Sequence, residues 1–180
     1  MATPSSLLRE YFSPLKGLLS WEGTAEFGTW LSLRFGTPRL TVREGKPEAV
    51  SKILRRRRVF LEGDFLLWVE MGAWEVFEEG KRRFHSGQSR RSLRRAAAWL
   101  EAQAISRVEI TTDPVGTVFF FDLGSELHVR PMADAEPDED LWHLYSRDRS
   151  LSLMPDGTLE HGPLTSKSRR TKARDVIYTL

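Results

Sequence analysis

The residues best suited to chemistry are scattered along the chain. The four histidines, His85, His128, His143 and His161, never fall at the i, i+4 spacing that sets two imidazoles on one side of a helix to grip a metal. No cysteine is present to complete a thiolate site. Neither a metal site nor a cofactor is expected. Asp122 follows three consecutive phenylalanines; pointed inward, it would have a raised pKa and could serve as a general base. The competing reading is an arginine partner or a turn cap, because no complementary acid, base or nucleophile accompanies it. There is no Gly-x-Ser-x-Gly elbow and no glycine-rich phosphate loop closed by Lys-Ser/Thr. No catalytic residue is assigned, and the balance is against an enzyme.

Charged clusters carry more information. Arg55, Arg56, Arg57 and Arg58 enter a strand, where alternation would send two to each face. Arg90, Arg91, Arg94 and Arg95 occupy the first turns of a helix, where the macrodipole disfavours cations, so some other interaction must offset them. A compensating candidate is the acidic stretch 132–140 with Asp134, Glu136, Asp138, Glu139 and Asp140. Either the two sets pair internally, or each is a binding face. An acidic face would steer a basic protein; arginine forks would take phosphates or an acidic protein.

The formal net charge of +2 conceals this sorting: residues 51–107 carry net +6, residues 108–164 net −9 and residues 165–180 net +4. A basic pI alone would suggest nucleic acid, but the acidic stretch weakens that inference. At 180 residues one domain is expected. The first residues, MATPSS, lack a basic start followed by an apolar run, so no secretory signal is expected. No apolar segment approaches the length of a membrane helix, and the location expected is cytoplasmic.

The elements that must position these residues follow from periodicity. Leu7, Leu8, Tyr11, Phe12 and Leu15 predict a short N-terminal helix within 5–19, ended or kinked by Pro14. Alternation predicts strands at 29–35 and 39–43, then a meander of strands at 59–61, 65–70 and 73–77 joined by short glycine-containing hairpins. Ser89 is a candidate N-cap for the main amphipathic helix, about 90–104, with Leu93, Ala97, Leu100 and Ala104 on one face. Asp113-Pro114-Val115-Gly116 suits a type I turn. Residues 117–123, apolar on both faces, predict a central, doubly covered strand; strands at 126–130, 141–145, 150–153 and 158–161 follow. The fold class is α+β: a bent antiparallel β-sheet meander with one main helix and a short N-terminal helix. Residues 1–164 form a single domain, and residues 165–180 a basic, flexible tail whose last five residues can dock as an edge strand.

From Thr29 to about Gly162, the stretches LSLRFGTPRLTV, GDFLLWVEMGAWEV, FFFDLGSELHV and DLWHLYSRDRSLSLMPDGTLEHGP resemble a group of small bacterial domains similar to immunity-type proteins of polymorphic toxin systems. The likeness lies in turns, aromatic positions and strand alternation. It implies a binding role and carries over no functional residue. The function expected is therefore a non-enzymatic bacterial binding protein, immunity-like, that neutralises a toxin or effector by protein–protein contact. The alternatives are a nucleic-acid-binding protein using the arginine clusters, and a metal-dependent nuclease or hydrolase built from dispersed acidic residues around Asp122.

Overall fold

Alternating apolar and polar residues divide the strands Leu31–Phe35, Phe65–Val69, Gly72–Glu78, Val115–Phe121, Ser125–Pro131 and Trp142–Tyr145 into a buried and a solvent-facing side, and the two sheets they belong to close over one core. The structure, a computed structural model, describes residues 3–25, 30–133, 136, 139–164, 169–173 and 175–180. In chain order the elements are α1 (Pro4–Phe12), extended by a 3-10 turn (Ser13–Leu15), β1 (Ser20–Thr24), β2 (Leu31–Phe35), β3 (Arg39–Arg43), β4 (Arg58–Glu62), β5 (Phe65–Val69), β6 (Gly72–Glu78) and β7 (Lys81–His85). There follow α2 (Arg90–Trp99), β8 (Ile105–Thr112), β9 (Val115–Phe121), β10 (Ser125–Pro131), β11 (Trp142–Tyr145), β12 (Arg149–Leu153), β13 (Thr158–Pro163), β14 (Arg169–Lys172) and β15 (Val176–Thr179).

Seven strands form the larger sheet in the order β1-β2-β5-β11-β12-β13-β14; six form the smaller, β15-β8-β9-β10-β6-β7; β3 and β4 pair only with each other. All the pairings are antiparallel. Leu33, Phe35, Leu67, Val69, Trp142, Leu144, Leu151 and Leu153 bury the inner side of the larger sheet, and Trp74, Val76, Val108, Ile110, Phe119, Leu127 and Val129 that of the smaller. The sheets meet at Trp142. Its indole N–H donates to Thr117 Oγ1 at 2.8 Å, and its ring lies edge-on to Phe119 and to Phe12 of α1, at 5.4 and 6.2 Å between centroids. Both helices insert their apolar stripes into the same core, α1 with Leu7, Leu8, Tyr11 and Phe12 and α2 with Leu93, Ala96 and Ala97. Thr3 and Ser89 cap the two N-termini through their hydroxyls. No helix of the described residues is long and apolar enough to cross a membrane.

The antiparallel α+β class holds, but the arrangement is more complex than one meander. Gly63-Asp64 and Met71-Gly72 are corners rather than hairpin turns: β5 pairs with β2 and β11, and the chain then crosses to the other sheet as β6. The short connection at Gly72 is tight, since a Cβ there would sit 2.5 Å from Val129 Cγ1. The helix expected to reach 104 ends at Trp99, and Ala102 takes a left-handed φ of 58° where the chain reverses into β8. Asp113-Pro114 is a cis pair between β8 and β9, in place of the type I turn. β9 is central, but its outer side is covered by neighbouring side chains, with the Arg107 guanidinium 3.8 Å over the Phe120 ring, and Leu123 is exposed. The segment expected as a flexible tail supplies two edge strands: β14 adds to β13, and β15 adds to β8. Cross-strand charge supports the first, Lys172 Nζ reaching Asp156 Oδ2 at 2.7 Å. Apolar alternation supports the second, Val176 and Tyr178 packing on the core.

Replacing Trp142 with alanine should cost about 3–5 kcal/mol of stability, the usual range for a large buried aromatic. Trp142→Phe should cost less while leaving the Thr117 hydroxyl without its donor. Urea unfolding of the two variants against the parent protein measures both.

Candidate functional site

The β2–β5 pair does not stop at the edge of the core. Phe35 lies opposite Phe65 at the end of that pair, and pairing resumes with Arg39 opposite Glu62 in β3–β4. β2–β3 and β4–β5 are thus the two legs of one long hairpin whose outer half projects as a two-stranded arm. Asp64 pins the bend. Its Oδ2 accepts the Thr37 backbone N–H at 2.9 Å, while Oδ1 takes Arg39 at 3.1 Å and Arg147 at 2.9 Å. The backbone hydrogen bond from Thr37, helped by the two guanidiniums, holds the Asp64 carboxyl below the usual aspartate range. Opposite it, Gly36 adopts φ 83° against the Asp64 side chain, where a Cβ would come within 2.6 Å of Oδ2.

The arm has two unlike faces. One carries Arg39, Thr41, Arg43, Arg58, Phe60 and Glu62. The Arg43 and Arg58 guanidiniums lie over the Phe60 ring at 4.7 and 4.9 Å, and Glu62 accepts from Arg43 at 2.8 Å and from Thr41 at 2.9 Å. Those hydrogen bonds, Arg43's first, lower the Glu62 pKa. This face and the turn at Tyr145–Arg147 enclose a cleft of about 360 Å³. The other face is aliphatic and bare: Leu40 is 72% exposed and its cross-strand partner Leu61 37%, Val42 55% and its partner Val59 60%. Val50, Ile53 and Leu54 in the tip loop are exposed too.

Of the predicted arginines, only Arg58 lies in a strand; Arg55, Arg56 and Arg57 fall in the turn before it, so the run does not alternate between faces as expected. Arg55 is spent on the tip itself, its Nε donating to Ala49 O at 2.7 Å. Arg57 pairs with Glu44 at 2.8 Å, and Arg56 is exposed. Arg90, Arg91, Arg94 and Arg95 lie exposed on α2, which packs against β1 and β7; Arg95 borders a shallow cleft with Arg83 and Trp99. Of the acidic residues, Asp134 and Asp138 lie outside the described residues. Glu136 is exposed, and the Glu139 carboxylate accepts the Glu136 backbone N–H at 3.1 Å. Asp140 reaches His143, its Oδ2 3.4 Å from Nε2. Asp122 does not point into the core: it is exposed and accepts the Ala104 backbone N–H at 2.8 Å, capping the start of β8 in keeping with the cap reading rather than the general-base one.

Four residues that no motif connects converge on the outer side of the larger sheet. His143 Nε2 lies 3.3 Å from Glu70 Oε2 and 3.4 Å from Asp140 Oδ2. The Tyr145 ring stacks on the imidazole at 5.0 Å, and Trp68 packs against both. Burial, reinforced by the Glu70 and Asp140 charges, pushes the Tyr145 phenol up to about 12. It is therefore a hydrogen-bond donor at neutral pH and not a base. Among the described residues, no three His, Asp or Glu side chains are grouped to hold a metal ion. Of the other histidines, His128 is held by Glu126 at 2.7 Å, His85 accepts the Gly87 N–H through Nδ1, and His161 faces the Thr171 hydroxyl of the neighbouring strand at 3.5 Å.

No protein family, curated protein or solved structure matches the chain. Sequence reasoning missed Asp64, Trp68, Glu70 and Tyr145. The signal was present in the alternation, since Leu66, Trp68 and Glu70 occupy the same side of one strand as His143 and Tyr145 do of its neighbour.

Two titrations follow. A carboxyl whose folded pKa is depressed stabilises the fold above its unfolded pKa, and that contribution is lost as pH falls through the folded value. Asp64 and Glu62 are such groups, so amide protection factors in residues 39–62, taken against the intrinsic exchange rate at each pH, should fall as pH drops below about 4, ahead of those of the core. Asp64→Ala should produce the same loss of protection at pH 7. Separately, ultraviolet titration should show one phenol ionising near pH 12 that disappears in Tyr145→Phe.

Proposed function

We propose that this chain is a non-enzymatic binding protein acting by protein–protein contact, as an immunity-type factor does, and that the β3–β4 arm is its docking element. The observation that carries this reading is the aliphatic face formed by Leu40, Val42, Val59 and Leu61, exposed on an arm that joins neither sheet. Contiguous exposed aliphatic surface of this kind marks contact sites on folded proteins.

Charge favours one sort of partner. Residues 39–62 hold eight basic and three acidic side chains, net +5. Two copies placed face to face would bring these cationic arms together, which opposes self-association. An acidic protein surface suits both the aliphatic face and the net positive charge of residues 39–62 that carry it. The positive charge of the arm speeds encounter, and the desolvated aliphatic centre supplies affinity. The acidic stretch is the less favoured docking element, since Asp140 is committed to His143.

Val42→Ser/Val59→Ser, used as bait beside the parent protein in a lysate of the source cell, should lose an acidic partner that the parent retains. Affinity for that purified partner should fall at least about tenfold, near 1.4 kcal/mol, with the melting temperature unchanged. Equal affinity of the two baits would refute the arm as the docking element.

A further inference from the structure

A second groove lies on the outer side of the larger sheet, away from the bare face of the arm, and nothing in the protein-binding reading uses it. It encloses about 520 Å³ and is walled by Trp30 and Trp68, with Leu66 in its floor and Thr24, Ser32 and Arg34 around it. The two indoles stand perpendicular at 6.0 Å, so they form a corner that offers one ring by its face and the other by its edge. Trp30 is 48% exposed. Trp68 is braced from behind by His143 and Tyr145, which sets its ring plane independently of any ligand.

The polar groups are already placed. Thr24 and Ser32 share a hydrogen bond at 2.7 Å. The Arg34 Nε donates to Glu22 Oε2 at 2.7 Å, and the guanidinium carries further N–H donors beyond that one. Arg34 is the one charged side chain among the described lining residues, and Glu22, just outside that lining, pairs with it and offsets its charge. A cation entering the groove would meet Arg34 at close range, and an anion would meet Glu22 with one already paired arginine to receive it. A neutral ligand is favoured.

The shape narrows the class. The groove is open to solvent, so a wholly apolar ligand would remain half in water and gain little. A sugar ring has the complementary build. Its axial C–H groups form an apolar, weakly positive face suited to the negative face of an indole, while its hydroxyls can exchange hydrogen bonds with serine, threonine and the arginine–glutamate pair and remain solvated on the outer side. We propose that the Trp30–Trp68 groove is a binding site for a neutral saccharide.

The six tryptophans give separate indole N–H signals in a nitrogen-correlated NMR spectrum, which makes the test local. Glucose, N-acetylglucosamine, maltose and cellobiose are titrated into the full chain, with choline and benzoate as cationic and anionic comparisons. The expected result is a saturable shift of the Trp30 and Trp68 signals with at least one saccharide, at a millimolar dissociation constant. Trp30→Ala should weaken that binding at least about tenfold, and Ser32→Ala by a smaller factor, with the remaining indole signals unmoved. Absence of any shift up to roughly 50 mM saccharide, well beyond a millimolar site, overturns the proposal. So does saccharide binding undiminished in Trp30→Ala, or a response to choline or benzoate alone. Because the arm variants leave this groove intact, the two proposals fail separately.

Discussion

One buried indole determines which way the rest of the molecule faces. Trp142 joins the two sheets through its hydrogen bond to Thr117 and its contacts with Phe119 and Phe12. A strand has period two, so fixing Trp142 and Leu144 inward forces His143 and Tyr145 outward. Register carries the same decision to β5, where Leu67 and Val69 turn inward and Leu66 and Trp68 outward, and on to β2, where Ser32 and Arg34 face solvent. The aromatic surface outside the larger sheet is thus the obligatory reverse of the core. Its members are braced by one another, which is how half-buried rings keep a fixed orientation.

The arm has the opposite origin. The hairpin that starts in β2 and returns in β5 is longer than the core it crosses, and its outer half has nothing apolar to lie on. A chain that only had to fold would place polar residues there. This one places four aliphatic side chains on one face and sets arginines and a phenylalanine on the other. The single carboxylate of Asp64 governs the angle at which that surface leaves the body. Ion pairs at exposed sites contribute little stability by themselves; here the contribution is directional, because a backbone N–H and two guanidiniums from different segments meet on one side chain.

How much of this was legible in the chain depends on what each signal encodes. Local signals were readable: the Ser89 cap, the Leu93 and Ala97 stripe, and the inward side of the strands that alternate. Alternation states which face a residue occupies but not which strand lies beside it. Hence Gly63-Asp64 and Met71-Gly72, short and glycine-bearing, read as hairpins when they are corners. The basic C-terminal stretch read as flexible because Arg169 to Lys172 holds no apolar residue, yet backbone pairing and the charges of Glu160 and Asp156 suffice to dock it. The site residues obeyed the same limit. Runs of arginine are conspicuous in sequence, but three of the four in the first run lie in a turn, one of them securing that turn. Glu70, Asp140, His143 and Tyr145 form no motif, and only the pairing of β5 with β11 unites them.

At the base of the arm, Phe35 and Phe65 face each other directly across the β2–β5 pair, about 5 Å apart at their Cα atoms as in any antiparallel ladder. The chain therefore leaves the core at Phe35 and rejoins it at Phe65, at adjacent points. Changes of length or surface in the arm should therefore leave the two sheets, and the packing around Trp142, as they are.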